Sequence, residues 1–155
     1  MNPPPADAVE DLVFLKLVRV VNLTARPFQQ RVGRAHQLTL NEWRVMALLG
    51  GSPGLTATQL AELTGLDKMA VSRALAGLQR ARRLHRHEDP TDQRRSRLHL
   101  SSAGKAVYAA VVVQARQREA ELFAGVAAEE LAQLNGTLDK LIASVACNAE
   151  VKASG

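Results

Sequence analysis

Apolar residues recur along this chain at helical spacing, and the breaks in the pattern are as informative as the repeats. The start, "MNPPPADAVED", is polar and Pro-rich and reads as a loose end. From about Val9, Leu12, Val13, Leu17, Val20 and Leu23, with Lys16 among them, trace one stripe of a helix. Pro27 lacks a backbone donor, and its ring would meet the carbonyl of Leu23. This predicts a kink or break near Thr24, with a short resumed helix toward Arg34. Three helix starts of one design follow. At "LTLNEW", Thr39 caps, Glu42 completes a capping box and Leu38 can staple to Trp43. At "LTATQL", Thr56 and Gln59 repeat the box, with Leu55 and Leu60 as the staple. At "LDKMAV", Asp67 caps and Leu66 faces Val71. Gly50, Gly51 and Pro53 divide the first of these helices from the second, and Gly65 offers a left-handed turn before the third. Three short helices with a tight turn before the last predict a helix-turn-helix.

The third helix has two distinct faces. Val71, Leu75 and Leu78 share the side that docks on a core, while Met69, Arg73, Ala76 and Arg80 lie opposite, with Ser72 on the flank. A cation, a hydroxyl and small or soft groups suit the major groove of a duplex, where Arg can read guanine. Lys68, in the first turn, can reach a phosphate near the helix N-terminus. An ordinary solvent-facing surface explains Ala76 or Arg80 alone better than a groove does. Lys68, Met69, Ser72 and Arg73 together, in a helix-turn-helix frame, favour DNA.

Immediately afterwards the period changes from helical to alternating. "LHRHE" and "RSRLHL" predict two short strands joined by Asp89-Pro90-Thr91-Asp92, whose residues all favour turns. Burying Leu98 and Leu100 turns Arg95, Arg97 and His99 outward. Arg94 falls near the tip, where a guanidinium can enter a minor groove, and Asp92 can pair with a neighbouring arginine or tie down the turn. The fold class is therefore mostly α with a small β-hairpin wing.

Charge sharpens this picture. Between Leu66 and His99 nine basic side chains stand against four acidic ones, an excess of five that accounts for the whole +5 of the 155-residue chain. Localised positive charge is the footprint of a polyanion partner, although a solvated, solubilising surface would have the same composition. Hydrophobic residues make up 46% of the chain but aromatic ones only 3%, which favours a helical core of Leu, Val and Ala. The single cysteine, Cys147, excludes an internal disulfide and fits a reducing compartment. Lys16 and Arg19 interrupt "LVFLKLVRVVNL", so it suits neither a signal peptide nor a membrane span, and a cytoplasmic protein is expected.

"LTLNEWRVMALL", "LTATQLAELTGLDKMAVSRALAGLQRARRLHR" and "DPTDQRRSRLHLSSAGK" resemble the multiple-antibiotic-resistance regulator (MarR) family of bacterial winged-helix transcription factors. The likeness extends from about Leu12 to Val145. The family's wing pattern of spaced aspartates and an arginine, then a strand and a helix start, corresponds here to Asp89, Asp92, Arg94, Ser101 and Gly104. The resemblance implies Arg94 in the minor groove and the helix from Lys68 in the major groove. It also implies a small, often aromatic or phenolic, effector bound between dimer and DNA-binding parts. One departure is "QRARRLHR", where Arg82 stands in place of the family's usual glycine-containing turn, so a different bend is expected.

Beyond Ser101 a long helical pattern runs through Val107, Val111, Ala115, Leu122 and Phe123. Leu131, Leu134, Leu138, Leu141 and Val145 then form a heptad seam, which can pack within one protomer or between two. The terminal helices exceed what a DNA-binding core needs, so a two-fold homodimer on a pseudo-palindromic operator is expected. This divides residues 1–155, a single MarR-type domain, into an N-terminal dimerisation helix (9–37), a winged helix-turn-helix (38–104) and C-terminal dimerisation helices (105–149).

Other chemistry is less well supported. His85 and His87 beside Glu88 and Asp89 could bind a metal, but the wing places them near DNA and no cysteine cluster helps, so no metal site and no cofactor are expected. Cys147 follows an apolar seam and reads as buried or idle, since oxidant-sensing relatives generally carry their cysteine near the N-terminus. His36 and Trp43 could border a cavity under the first helix, and core packing explains Trp43 equally well. No phosphate loop, nucleophile elbow or metalloprotease helix is present, so no enzyme is expected. The leading expectation is a sequence-specific double-stranded DNA-binding repressor released by a small ligand. The alternatives are a nonspecific or architectural nucleic-acid binder and a protein-interaction module.

Overall fold

The computed structural model describes residues 12–89 and 91–153, with the side chains of all of these except 93–95 and 147–153. The expected start of the first helix near Val9 and the environment of the Cys147 thiol lie outside the described set. Helix α1 spans Val13–Phe28, followed by a π-helical turn at Gln29–Gly33 and a short helix α2 at Arg34–His36. Helices α3 (Leu40–Gly51), α4 (Ala57–Thr64) and α5 (Lys68–Arg80) come next. Strands β1 (Leu84–Asp89) and β2 (Asp92–Leu100) form one antiparallel hairpin, and helices α6 (Ser102–Leu122) and α7 (Ala128–Ala153) end the chain. The mostly helical winged fold is the one expected.

Two compact units result, Met1–Gln114 and Ala115–Gly155. Among the described residues no helix is long and apolar enough to cross a membrane.

All three expected caps are present. Thr39 and Thr56 accept from the amides of Glu42 and Gln59, whose side chains accept in return from the amides of Thr39 and Thr56. Asp67 Oδ1 accepts from the Ala70 amide at 2.7 Å. Gly65 adopts φ +68°, a left-handed conformation that a side chain would disfavour.

Two local expectations need correction. The first helix does not break at Thr24. It continues through Pro27, the Gln29 amide bonds back to Ala25 and Arg26, and the irregularity falls C-terminal to the proline as the wider π turn. Gly50 and Gly51 do not end α3 either, because both remain in its last turn and Gly54, at φ +88°, makes the bend. At Gly50 the Tyr108 ring lies where a Cβ would stand.

The core joins Val45, Met46 and Leu49 of α3, Leu60 of α4, Val71, Leu75 and Leu78 of α5, Leu84, Leu98 and Leu100 of the hairpin and Val111 of α6. Phe28 stacks on Trp43 at 6.4 Å between ring centroids, and Trp43 on Tyr108 at 6.1 Å, so the tryptophan is packed by aromatic neighbours. The hairpin joins this core through its leucines. Its base is pinned where Ser101 Oγ donates to the Arg82 carbonyl at 2.8 Å and accepts from the Gly104 amide at 3.0 Å. Gly104 is required there because a Cβ would collide with the Arg83 carbonyl oxygen.

Candidate nucleic-acid interface

Two features position α5. Its N-terminus is set by the Asp67 cap, and its inner face, Ala70, Val71, Ala74, Leu75 and Leu78, is buried. The outer face follows from the helical period. Lys68, Met69, Ser72, Arg73, Ala76 and Arg80 are all exposed, Met69 by 65%. A thioether this open on a helix whose other side is sealed is available to a partner. The four side chains expected to contact DNA thus share one accessible surface.

The exit from α5 keeps the ordinary geometry of a glycine cap without the glycine. Arg82 adopts φ +57°, its amide donates to Gln79 and the Arg83 amide donates to Leu78, the paired bonds of a Schellman motif. The bend is therefore conventional and the residue is not. Arg83 is drawn inward, where its guanidinium caps the end of α2 by donating to the carbonyls of His36 at 2.7 Å and Gln37 at 3.2 Å. Arg86 reaches back to Gln79 Oε1 at 3.2 Å. His36 lies 3.5 Å from Gln114 through their Nε2 atoms.

In the hairpin, Leu84 faces Leu100 and His85 faces His99, while His87 faces Arg97 and makes an edge contact with His99 at 5.0 Å. Leu98 and Leu100 are buried as expected. Arg97 departs from the simple outward picture. It is half-buried, its Nε donates to Asp89 Oδ2 at 2.8 Å and its Nη1 to the Gly54 carbonyl at 3.2 Å. Asp89 is only 3% exposed and also accepts, on Oδ1, from the Thr91 amide at 2.9 Å and the Thr91 hydroxyl at 2.7 Å. Those two Thr91 bonds first, and the Arg97 guanidinium after them, hold the Asp89 carboxyl down at about 2 despite its burial. Asp89 is thus a turn-tying acid that the chemistry expected of Asp92 did not anticipate. Strand parity does not reveal it, because the pairing slips between Glu88 and Asp89. Asp92 lies in β2 opposite Asp89. The side chains of Arg94 and Arg95 lie outside the described set.

Among the described residues no group of three or more His, Cys, Asp or Glu side chains converges as a metal site would require. The accessible chemistry is cationic and hydrogen-bonding: Lys68, Ser72 and Arg73 on the helix, with Arg80, Arg82 and Arg86 also exposed beside the hairpin.

Comparison with known proteins agrees with this geometry. Residues 36–95, from the end of α2 to the hairpin, match the family model described as MarR family. The homoprotocatechuate degradative operon repressor of Escherichia coli is 25% identical over 119 residues, which is 77% of this chain and 80% of that protein. The PcaV transcriptional regulator of Streptomyces coelicolor, solved in complex with its natural ligand, superposes with a TM-score of 0.77 at 23% identity, covering 88% of this chain and 96% of its own. MepR of S. aureus, solved in complex with DNA, superposes with a TM-score of 0.75 at 22% identity, covering 87% of this chain and 99% of its own.

Proposed function

We propose that this chain, whose residues 36–95 match the MarR family model, is a transcriptional regulator of that family and acts as a homodimeric, sequence-specific repressor on a pseudo-palindromic operator. The observation that carries the reading is the capped, core-locked α5 whose outward face holds Lys68, Met69, Ser72 and Arg73. In the major groove Arg73 reads a guanine, Met69 packs on a thymine methyl, Ser72 bonds to a base or phosphate and Lys68 holds the backbone. The wing supplies Arg94 to the minor groove and Arg95 to its flank, with Asp92 ordering the tip and Arg97 serving the wing from its bonds to Asp89 and Gly54. MepR, of the same fold, binds DNA.

Dimerisation uses the terminal segments, 9–37 and 105–149, around the winged helix-turn-helix of 38–104. Supporting this, α1 exposes Val13, Phe14 and Leu23, and α7 exposes Leu141, Ile142 and Val145. Apolar surface on this scale marks an interface. A small, aromatic or phenolic effector releases the operator by favouring a spacing of the two α5 helices that no longer fits successive grooves. The repressor of a degradative operon and the ligand-bound PcaV, both similar to this chain, are consistent with such control. The site of action is the cytoplasm.

Selection of bound fragments from a random duplex pool tests the reading. It should return one inverted repeat with half-sites about 34–36 Å apart, centre to centre. Enrichment of no common sequence would instead favour a nonspecific architectural binder.

A further inference from the structure

A hairpin of two strands has little stability of its own, so a wing that must present its tip to a groove needs an external brace. At the base, the Gly54 amide bonds to the Leu98 carbonyl at 2.9 Å and the Leu98 amide to the Leu55 carbonyl at 3.1 Å, a short third rung. Nearer the tip, the pairing slips between Glu88 and Asp89. An irregularity of this kind re-aims a side chain. The carboxylate it aims is the buried Asp89, which gathers Thr91 of the turn and Arg97 of the return strand, and Arg97 continues to the carbonyl of Gly54. One chain of hydrogen bonds therefore runs from the turn, across both strands, to the α3–α4 bend of the helix-turn-helix.

We propose that Asp89 and Arg97 are positioning residues for DNA binding, which fix the direction of the wing relative to α5 through Gly54. This rests on the DNA-binding reading above and refines it, because Arg97 then acts on the operator through the orientation of the hairpin. The chemistry makes the idea separable from simple charge. An Arg can serve Nε to a carboxylate and Nη1 to a carbonyl at once, and a Lys cannot reproduce that fork. Asp89 is an anion beside a surface meant for a polyanion, so electrostatics alone would favour its removal.

The test compares full-length wild type, Asp89→Asn and Arg97→Lys on the selected operator across a range of salt, with amide hydrogen exchange on the free proteins. Asp89→Asn should bind about tenfold more weakly although it deletes a negative charge. Its salt dependence should keep the parental slope, because no phosphate contact is lost. Arg97→Lys should weaken binding to a similar extent although it keeps the charge. In both variants the hairpin amides should exchange faster while α3, α4 and α5 stay protected, which separates loss of the brace from loss of the fold. Should one variant fail to fold, the other decides. Asp89→Asn binding as tightly as wild type or tighter, or Arg97→Lys binding like wild type, would overturn the proposal. A wild-type chain that binds no duplex would instead sink the DNA-binding reading, and the positioning role with it.

Discussion

Helices α5 and α7 are both amphipathic, yet their apolar faces meet opposite fates. Val71, Leu75 and Leu78 of α5 are each 1% exposed, whereas Ile142 and Val145 of α7 are 68% and 69% exposed. The first helix has its hydrophobic partners within the same chain, and this frees its polar side for an outside molecule. The second offers its hydrophobic side outward, as a helix does when its partner is another chain. On the proposed reading, one surface serves a polyanion and the other a second copy of the chain.

The contrast predicts different failures. Leu75→Ala should remove about 2–5 kcal/mol from unfolding of the protomer, read by urea denaturation, and the loss should not depend on chain concentration. Ile142→Asp should leave that core intact but weaken association by about 2 kcal/mol, read by sedimentation equilibrium across a concentration series. If Ile142→Asp unfolds the chain as Leu75→Ala does, α7 belongs to a protomer core and the contrast fails. Arg73→Ala should leave stability and dimerisation unchanged and lose about 1–3 kcal/mol of discrimination at one base pair, measured with single-substituted operators.

How much of this was legible in the sequence depended on the range of each interaction. The caps at Thr39, Thr56 and Asp67 bond three residues ahead, so residue type and spacing sufficed to find them. The two faces of α5 followed from the helical period alone. Arg82 was legible as a departure but not as a conformation, because the paired bonds from residues 82 and 83 impose a left-handed turn that an arginine does not advertise. The link from Arg97 to Gly54 joins residues 43 apart, and no local pattern encodes it. The seam on α7 was visible as a repeat, but a heptad has the same spacing whether its partner is within the chain or outside it.

Smaller effects probe the junctions. Arg82→Gly should relieve the left-handed strain and stabilise the protein by up to about 1 kcal/mol, while weakening DNA affinity only if the guanidinium contacts phosphate. Thermal melts and operator titrations separate the two effects. Asp89 yields a pH signature whose sign is fixed. Its carboxyl lies at about 2 when folded against an ordinary 3.8, so its contribution is present above about pH 4 and is lost as pH falls toward 2. The stability difference between wild type and Asp89→Asn, from urea midpoints, should therefore shrink across that window. A constant difference down to pH 2 would show that ionisation of Asp89 does not matter to the brace.

The central claim is that the outer face of α5 and the adjoining wing read a particular duplex sequence. Competition titration of the selected operator against unrelated duplex of equal length, at fixed moderate salt, tests it most directly. The operator should be preferred by at least about a thousandfold, with two chains bound per site. Equal affinity for both duplexes would contradict it.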